Sequence, residues 1–250
     1  MIDKSKQENG AGGTDNYVPD ASARWEFNKE VTDVFPNMLS RSIPGYENMR
    51  ELVYRISRNF IKEGTNVLDI GCSTGLSSEL LIKNFKEKAN FVLTDVSEPM
   101  LDICREKYKT EIAEGKVSVK KADLRNPLPV KGCSLILSCL TLQFTPIEYR
   151  QFIIKNIYES LEPGGALILV EKVLGNSDNI DRILVNEYYD IKREHSYTEE
   201  QIMNKRKSLE GTLVPLTIKM NEWLLEMTGF RYTDTFWRYL NFCGIVAIKE

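Results

Sequence analysis

The fold of this chain is decided by the stretch Asn66-Val67-Leu68-Asp69-Ile70-Gly71-Cys72-Ser73-Thr74-Gly75. Its first half is a short apolar run of the kind that forms a buried strand, and its second half is a glycine-containing turn. The two glycines let the backbone bend sharply and let a ligand approach it closely, because neither carries a Cβ. In an open α/β sheet the ligand crevice lies beyond the carboxyl ends of the strands. The stretch therefore predicts a strand, a turn and a helix, and the turn is either a ligand site or a tight connection that binds nothing.

The alternation of strand and helix patterns continues through most of the chain. Further apolar runs predict strands at residues 91–94, 117–119, 134–139, 166–170, 232–237 and 241–248. Amphipathic stretches predict helices at residues 76–85, 99–108, 147–161 and 220–227, and Thr145 is the predicted N-cap of the third. This alternation is typical of an α/β fold whose parallel sheet is covered by helices on both faces. The last two strands adjoin in sequence, so one strand is expected to be antiparallel.

The remaining segments are an N-terminal tail, a helical lid and a helical insertion. The 250 residues are 42% hydrophobic and 28% charged, a composition typical of one folded domain. Residues 1–23 contain almost no apolar side chains and predict a flexible tail, so the domain is expected to span residues 24–250. Residues 24–60 have the helical spacing of a lid, which Pro36 is expected to interrupt. Residues 174–214 are helical and charged, and Thr198 begins a capping-box pattern there.

Composition and cysteine spacing exclude several functional classes. No apolar run approaches the roughly 20 residues of a membrane helix, and the N-terminus lacks a signal-peptide pattern, so a cytoplasmic, non-membrane protein is expected. The five cysteines include no C-x-x-C pair and the chain has one histidine, which argues against a disulfide framework and against a metal site. A net charge of -3 provides no global field for a polyanion, so direct binding of nucleic acid is not expected.

Two further strand ends carry carboxylates that suit an adenosyl ligand. Asp95 ends the second predicted strand, where it can either accept hydrogen bonds from a ribose diol or cap the next helix. Asp123 follows the third strand, where its carboxylate could meet an adenine amino group while Leu124 flanks the ring. The D-x-G-x-x-x-G spacing that begins at Asp69 differs from the G-x-G-x-x-G of dinucleotide-binding loops. The pattern therefore argues against a nicotinamide cofactor.

Gly71, Asp95 and Asp123, at three successive strand ends, resemble the class I S-adenosylmethionine-dependent methyltransferases over residues 66–250. Other segments narrow the resemblance to the carboxy-S-adenosylmethionine synthase family. They are V-F-P-N-M at 34–38, R-S-I-P-G-Y at 41–46, T-L-Q-F at 141–144, P-G-G-A-L at 163–167, E-K at 171–172, K-R at 205–206, L-E at 209–210 and N-F at 241–242. The resemblance implies a three-layer Rossmann-like class I methyltransferase fold. Its sheet would be seven-stranded and mostly parallel with one antiparallel strand, with an N-terminal helical lid and a helical insertion before the last strands.

The resemblance also implies an activity and the residues that perform it. The family converts S-adenosylmethionine (SAM) and prephenate to carboxy-SAM and phenylpyruvate, and the product serves wobble-uridine modification of bacterial tRNA. Arg206 matches the arginine that holds the carboxylate of the product, and it is the candidate catalytic residue. A homodimer is implied, with the insertion near residues 181–210 at its interface. The candidate cofactor-binding residues are Tyr46, Asp69, Gly71, Cys72, Ser73, Gly75, Asp95, Val96, Asp123, Leu124, Cys139 and Arg206.

Several of these residues have an alternative interpretation. Cys139 stands where the family typically has an asparagine, so a thiol replaces an amide and the transfer chemistry is in question. Arg206 and Glu210 are four residues apart, so they could instead form an exposed ion pair on a helix. Tyr46 could equally be a tyrosine of the core.

The sequence also leaves two alternatives for the function as a whole. A conventional methyltransferase that acts on a small molecule or on tRNA would have the same cofactor site. A non-catalytic SAM-binding protein would also have this cofactor site. The intact glycine turn makes this the lowest-ranked of the three functional hypotheses. Gln143 and Glu171, near the ends of the fourth and fifth predicted strands, could reach the active cavity or could organise loops.

Overall fold

The structure, a computed structural model, describes residues 25–250, and the tail predicted for residues 1–23 lies outside them. The strands are β1 (Asn66–Ile70), β2 (Asn90–Asp95), β3 (Val117–Lys121), β4 (Cys133–Cys139), β5 (Leu161–Leu174), β6 (Leu216–Thr217), β7 (Tyr232–Tyr239) and β8 (Phe242–Ile248). The α-helices are α1 (Lys29–Ser42), α2 (Tyr46–Ser57), α3 (Glu79–Phe85), α4 (Glu98–Lys107), α5 (Lys109–Ala113), α6 (Ile147–Ser160), α7 (Asp178–Glu194), α8 (Glu199–Leu209) and α9 (Ile218–Thr228).

The sheet has the strand order β3-β2-β1-β4-β5-β8-β7, and the two-residue β6 pairs with β5 at its side. Only β8 runs against its neighbours in this path, because its pairings with β5 and β7 are antiparallel while the others are parallel. The predicted seven strands with one antiparallel strand are therefore confirmed, and β6 is an addition. The strand order reverses between β1 and β4, which is where an open α/β sheet leaves a crevice for ligands.

The core lies on both faces of the sheet, because the central strands are buried on both sides. On one face the side chains of Leu137 and Ile168 join a cluster that includes residues of α2. On the other face Ile136 and Leu167 pack against the apolar side of α6, including Ile153. A layer of helices on each side of the sheet follows from this double burial, and it fixes the strand ends that form the candidate site.

Two local predictions were wrong. Pro36 does not interrupt the lid helix, since α1 runs through it from Lys29 to Ser42. The proline is exposed, and the opposite side of α1 is held in place by the burial of Val31, Phe35 and Met38, so packing outweighs the lost backbone hydrogen bond.

The second correction concerns the start of α6. Its N-cap is Pro146, not Thr145. The hydroxyl of Thr145 donates to Leu142 O at 2.7 Å and so closes the 3-10 turn Leu142–Phe144 instead. A hydroxyl that bonds backwards to a turn is a common competitor of capping. The capping box at Thr198 and Gln201, by contrast, is present as predicted.

Candidate active site

The turn after β1 is shaped by its glycines and by β2. Gly71 has φ +66°, and a Cβ at this position would collide with the side chain of Thr141. Gly75 has φ +73°, and a Cβ there would lie 2.7 Å from Cε2 of Tyr108. Between them, the amide of Cys72 donates to Thr94 O at 2.9 Å, which ties the turn to the neighbouring strand. The close approaches leave no room for a side chain at either glycine, so the turn stays narrow where it meets Thr141 and Tyr108.

Asp95 lies beside this turn with its carboxylate fixed by backbone groups. Its Oδ2 accepts from the amide of Ser73 and its Oδ1 accepts from the amide of Ser97, both at 2.9 Å. Burial raises the pKa of this carboxyl, and the surrounding backbone N–H groups act against that shift. The alternative role as a helix cap is wrong, because Ser97 is the N-cap of α4. A carboxylate oxygen has more than one acceptor position, so Asp95 can accept further bonds from a diol.

The third strand end is arranged differently. The carboxylate of Asp123 is paired with the guanidinium of Arg125, with Nε to Oδ1 at 3.0 Å and Nη2 to Oδ2 at 2.5 Å. The hydrogen bonds from Arg125 hold the pKa of Asp123 below its ordinary value. The buried side chain of Leu124 and the exposed Val96 lie against the same cavity and form an apolar slot. The slot and the carboxylate suit an adenine ring and its amino group.

These residues lie around one cavity of about 480 Å³, within the range of small-molecule sites. The predicted site residues in its lining are Tyr46, Gly71, Cys72, Ser73, Asp95, Val96, Asp123, Leu124 and Cys139. Aromatic side chains form much of the remaining wall, including those of Trp25, Phe27, Phe35 and Phe144. The lid and the strand ends therefore enclose one space.

Three predicted site residues do not line the cavity. Asp69 is buried beneath the turn, where its Oδ2 accepts from the hydroxyl of Ser78 at 2.6 Å and burial raises its pKa to about 7. Gly75 packs on Tyr108. Arg206 has an exposed side chain on α8, next to Tyr189. The alternative ion pair between Arg206 and Glu210 is not formed among the residues that the structure describes.

Tyr46 and Cys139 face the cavity as neutral donors. Tyr46 begins α2 directly after Gly45, whose φ of +64° turns the chain, and its side chain is buried. Burial raises the pKa of the Tyr46 hydroxyl, and burial likewise raises the pKa of the Cys139 thiol to about 12. Both groups therefore keep their protons at neutral pH. Cys139 is the last residue of β4, so its thiol lies at the same sheet edge as the turn.

The sequence does not predict one prominent residue of the cavity wall, Lys172. It follows Glu171 on β5, and successive side chains of a strand point to opposite faces. Lys172 lines the cavity, whereas Glu171 is buried on the other face, where its pKa rises to about 8. Gln143 also lines the cavity, and its Oε1 accepts from the amide of Lys172 at 2.7 Å. The signal was a lysine that follows Glu171 directly after the apolar run at residues 166–170 of β5.

The residues present fit SAM as a ligand. Gly71 has no Cβ on the cavity wall, the Asp95 carboxylate has further acceptor positions for ribose hydroxyls, and Val96 and Leu124 provide apolar surface for a flat ring. Within residues 25–250 no group of three or more His, Cys, Asp or Glu side chains could hold a metal ion. No helix in this part of the chain has the length and apolar character needed to cross a membrane.

Comparisons with known proteins agree with this geometry. A family model described as a methyltransferase domain matches residues 67–165. The chain is 38% identical to the carboxy-S-adenosyl-L-methionine synthase of Methylococcus capsulatus, over 89% of this chain and 93% of the relative. The protein of the same name from Erwinia tasmaniensis is 33% identical over 90% of this chain and 92% of the relative.

Solved structures show the same fold at low identity. A putative O-methyltransferase from Nostoc punctiforme has a TM-score of 0.63 at 15% identity, covering 88% of this chain and 59% of that one. A SAM-dependent methyltransferase from Aquifex aeolicus has a TM-score of 0.59 at 16% identity, covering 90% of this chain and 100% of that one. Fold and site together define a SAM-dependent enzyme with the class I methyltransferase fold. Within that class, the chain belongs to the carboxy-S-adenosyl-L-methionine synthase family.

Proposed function

We propose that this protein converts SAM and prephenate to carboxy-SAM and phenylpyruvate. The observation that carries the proposal is one continuous cavity, whose lining includes both the candidate adenosyl-binding residues and aromatic side chains next to the lid. A methyltransferase needs chiefly an acceptor held in line with the methyl group. A carboxylation needs in addition shelter from water and a cation for the carboxylate. The lid provides the shelter, and Lys172 and Arg206 provide cations at or near the cavity.

The overall reaction balances without another reactant. SAM supplies a methyl carbon made acidic by the neighbouring sulfonium. The carboxylate that prephenate loses as carbon dioxide becomes bonded to that carbon, while a methyl proton and the ring hydroxide leave as water. Phenylpyruvate remains. No external oxidant or reductant is required, in agreement with a cavity built from aromatic, hydroxyl, thiol and charged side chains.

The residues of the chain bind, orient and exclude water. Asp95 and the turn at Gly71 hold the adenosyl end, and Tyr46 donates a hydrogen bond from a hydroxyl that stays protonated. The aromatic wall that includes Trp25 and Phe144 keeps water away from the reacting carbon. Edge-to-face contacts of Phe27 with Trp25 and Phe144, at 6.0 and 5.2 Å between ring centroids, hold this wall together.

Arg206 is proposed to hold the carboxylate of the product. A guanidinium presents paired donors that match a carboxylate and remains charged at any relevant pH. Because the Arg206 side chain is exposed in the single chain, we place it at a homodimer interface made by the insertion near residues 181–210. The exposed Ile180 and Ile183 on α7 support such an interface. Light scattering that gives the mass of one chain would contradict the dimer.

Mass spectrometry tests the reaction directly. Purified protein is incubated with SAM, with and without prephenate, and the expected result is carboxy-SAM only when prephenate is present. We further propose that this product is used in the cytoplasm for modification of wobble uridine in tRNA. Loss of wobble carboxymethylation in a strain that lacks the gene would support that role, and unchanged tRNA would contradict it.

A conventional methyltransferase is the second candidate. It is favoured by one observation, that Cys139 lines the cavity where the family typically has an asparagine. Formation of S-adenosylhomocysteine with a small-molecule or tRNA acceptor, without any carboxy-SAM, would show that the protein is a conventional methyltransferase. Binding of SAM without any product would instead indicate a non-catalytic SAM-binding protein.

A further inference from the structure

Two lysines, the half-buried Lys172 and the buried Lys192, flank the ring of Tyr188, which lines the cavity. Lys172 lines the cavity, and its Nζ lies 4.8 Å from the centroid of the Tyr188 ring. Lys192 lies on α7 one helical turn after Tyr188, and its Nζ is 4.9 Å from the centroid of the Tyr188 ring. Lys192 is only 4% exposed, and Lys172 is half-buried. Two ammonium groups therefore share one neutral ring.

Neither lysine has a counterion among the residues that the structure describes, since no carboxylate oxygen lies within 4.0 Å of either Nζ. Buried charges in proteins are nearly always paired, because an unpaired ammonium loses its hydration without compensation. Burial lowers the pKa of Lys172 and lowers that of Lys192 to about 8. The cation–π contacts offset only part of this cost.

The charges that face Lys172 come from several elements and are mostly positive. Lys192 and Arg206 are the cations that lower its pKa further. Tyr188 and Asp181 act in the opposite direction. The Oδ1 of Asp181 already accepts from the amide of Gly175 at 2.7 Å, so this carboxylate is engaged by the loop before α7. Three cations thus face one carboxylate, although the whole chain has a net charge of -3.

We propose that Lys172 binds a carboxylate of the second substrate directly, and that Lys192 acts behind it as a positioning residue, so that the cavity selects a dicarboxylate. This inference rests on the proposed function, because it assigns the part of the cavity beside the candidate adenosyl site to the carboxylate donor. The bound dianion completes the charge balance that the free protein lacks. Gln143 aids the arrangement, since it fixes the main chain of Lys172.

The test is calorimetry of prephenate binding to the protein saturated with S-adenosylhomocysteine, which needs no turnover. Lys172→Met keeps an unbranched side chain only one atom shorter and removes its charge. We expect prephenate affinity to fall roughly 10- to 100-fold in this variant, because a hydrogen bond to a charged group is lost. Affinity for SAM is expected to change less than about twofold. For Lys192→Met we expect prephenate affinity to fall only about fivefold, since Lys192 acts on the ligand through its electrostatic field and not by direct contact.

Lys207→Met is the matched control, because it removes the same charge from an exposed position on α8. A merely structural role for Lys172 would lower the melting temperature of Lys172→Met and weaken both ligands together. We expect instead an unchanged or raised melting temperature, because the variant removes an unpaired buried charge. If Lys172→Met does not fold, Lys172→Gln and Lys172→Arg take its place, and Arg is expected to retain most of the affinity.

The outcomes separate this inference from the proposed function. Wild-type protein that makes carboxy-SAM, together with a Lys172→Met variant that binds prephenate normally, would overturn the inference alone. Wild-type protein that binds prephenate through Lys172 but makes no carboxy-SAM would overturn the proposed function alone. Selectivity is measured with phenylpyruvate, a monocarboxylate, and equal affinity for both ligands would refute selection of a dicarboxylate.

Discussion

The two ends of the cavity are built in different ways. The cofactor end is made by strand ends whose positions follow from sheet register, with Ile70 beside Thr94 and Asp95 beside Lys121. The lid end is made by α1, α7, α8 and the last residues of β5, which are distant from one another in sequence. Ladder hydrogen bonds fix the first end locally, whereas the second depends on how helices pack.

Contacts at the lid end join segments that are distant in sequence. Nε of Arg41 on α1 donates to His195 O at 3.2 Å, and the hydroxyls of Ser42 and Tyr197 lie 3.0 Å apart. The amide of Trp25 donates to Ser208 O at 2.9 Å. The comparison teaches that adjacent strand ends build the candidate adenosyl site, whereas the proposed site for the second substrate depends on how the lid and the insertion pack together. Substitutions at the two ends should therefore separate the binding of the two ligands.

The largest expected effect is at the cofactor end. Asp95→Ala removes the proposed acceptor for the ribose hydroxyls, and we expect SAM affinity to fall at least about 100-fold, because two hydrogen bonds to a charged group would be lost. Calorimetry with SAM measures this. Asp95→Asn keeps one side-chain oxygen as an acceptor, and we expect a smaller loss of SAM affinity in this variant. Asp102→Ala removes an exposed carboxylate paired with Arg105 and serves as the control. Similar affinity in Asp95→Ala and the control would contradict the role of Asp95.

The next effect concerns the turn itself. Gly71→Ala and Gly115→Ala place a Cβ at φ +66° and +72°, but only the first Cβ meets another side chain, that of Thr141. Backbone strain of about 1–2 kcal/mol is common to both variants. We expect Gly71→Ala to lose about 1–3 kcal/mol more of the free energy of unfolding and to bind SAM weakly. Denaturant titration compares them, and equal losses would mean that the close approach has no cost.

The third prediction concerns Arg206, at the lid end of the cavity. We expect Arg206→Ala to weaken binding of carboxy-SAM by about tenfold or more, because a paired charge-assisted contact is lost, and to leave SAM affinity within about twofold. Competition calorimetry with the two compounds provides the ratio. Lys207→Ala, an exposed neighbour on the same helix, is the control. An equal loss of affinity for both compounds would refute a role in holding the carboxylate.

The smallest effect is expected at Cys139, where β4 reaches the cavity. Cys139→Asn supplies an amide that can hydrogen-bond the ligand, and we expect SAM affinity to rise about two- to tenfold. Cys139→Ala removes the thiol without adding an amide, and we expect it to stay within about twofold of the wild type. A lower SAM affinity for the asparagine variant would show that the thiol is adapted to this cavity.

Local prediction succeeded where the physics was local. The stretch from Asn66 to Gly75 contains its own strand and turn, and both glycines have positive φ, although the side chains that crowd them, Thr141 and Tyr108, come from distant segments. Prediction failed where tertiary contacts outweighed local preference. Pro36 lies within an uninterrupted helix because the buried side of α1 holds it, and the hydroxyl of Thr145 closes a turn instead of capping α6.

The sequence by itself determined the order of strands and helices and placed Asp95 and Asp123 at strand ends, because hydrophobic periodicity and strand ends are properties of short segments. Only the tertiary structure decided that Lys172 faces the cavity while Glu171 does not, and that Lys192 lies across the same tyrosine ring. Those positions depend on the pleat of β5 and on where α7 packs, and no short segment contains that information.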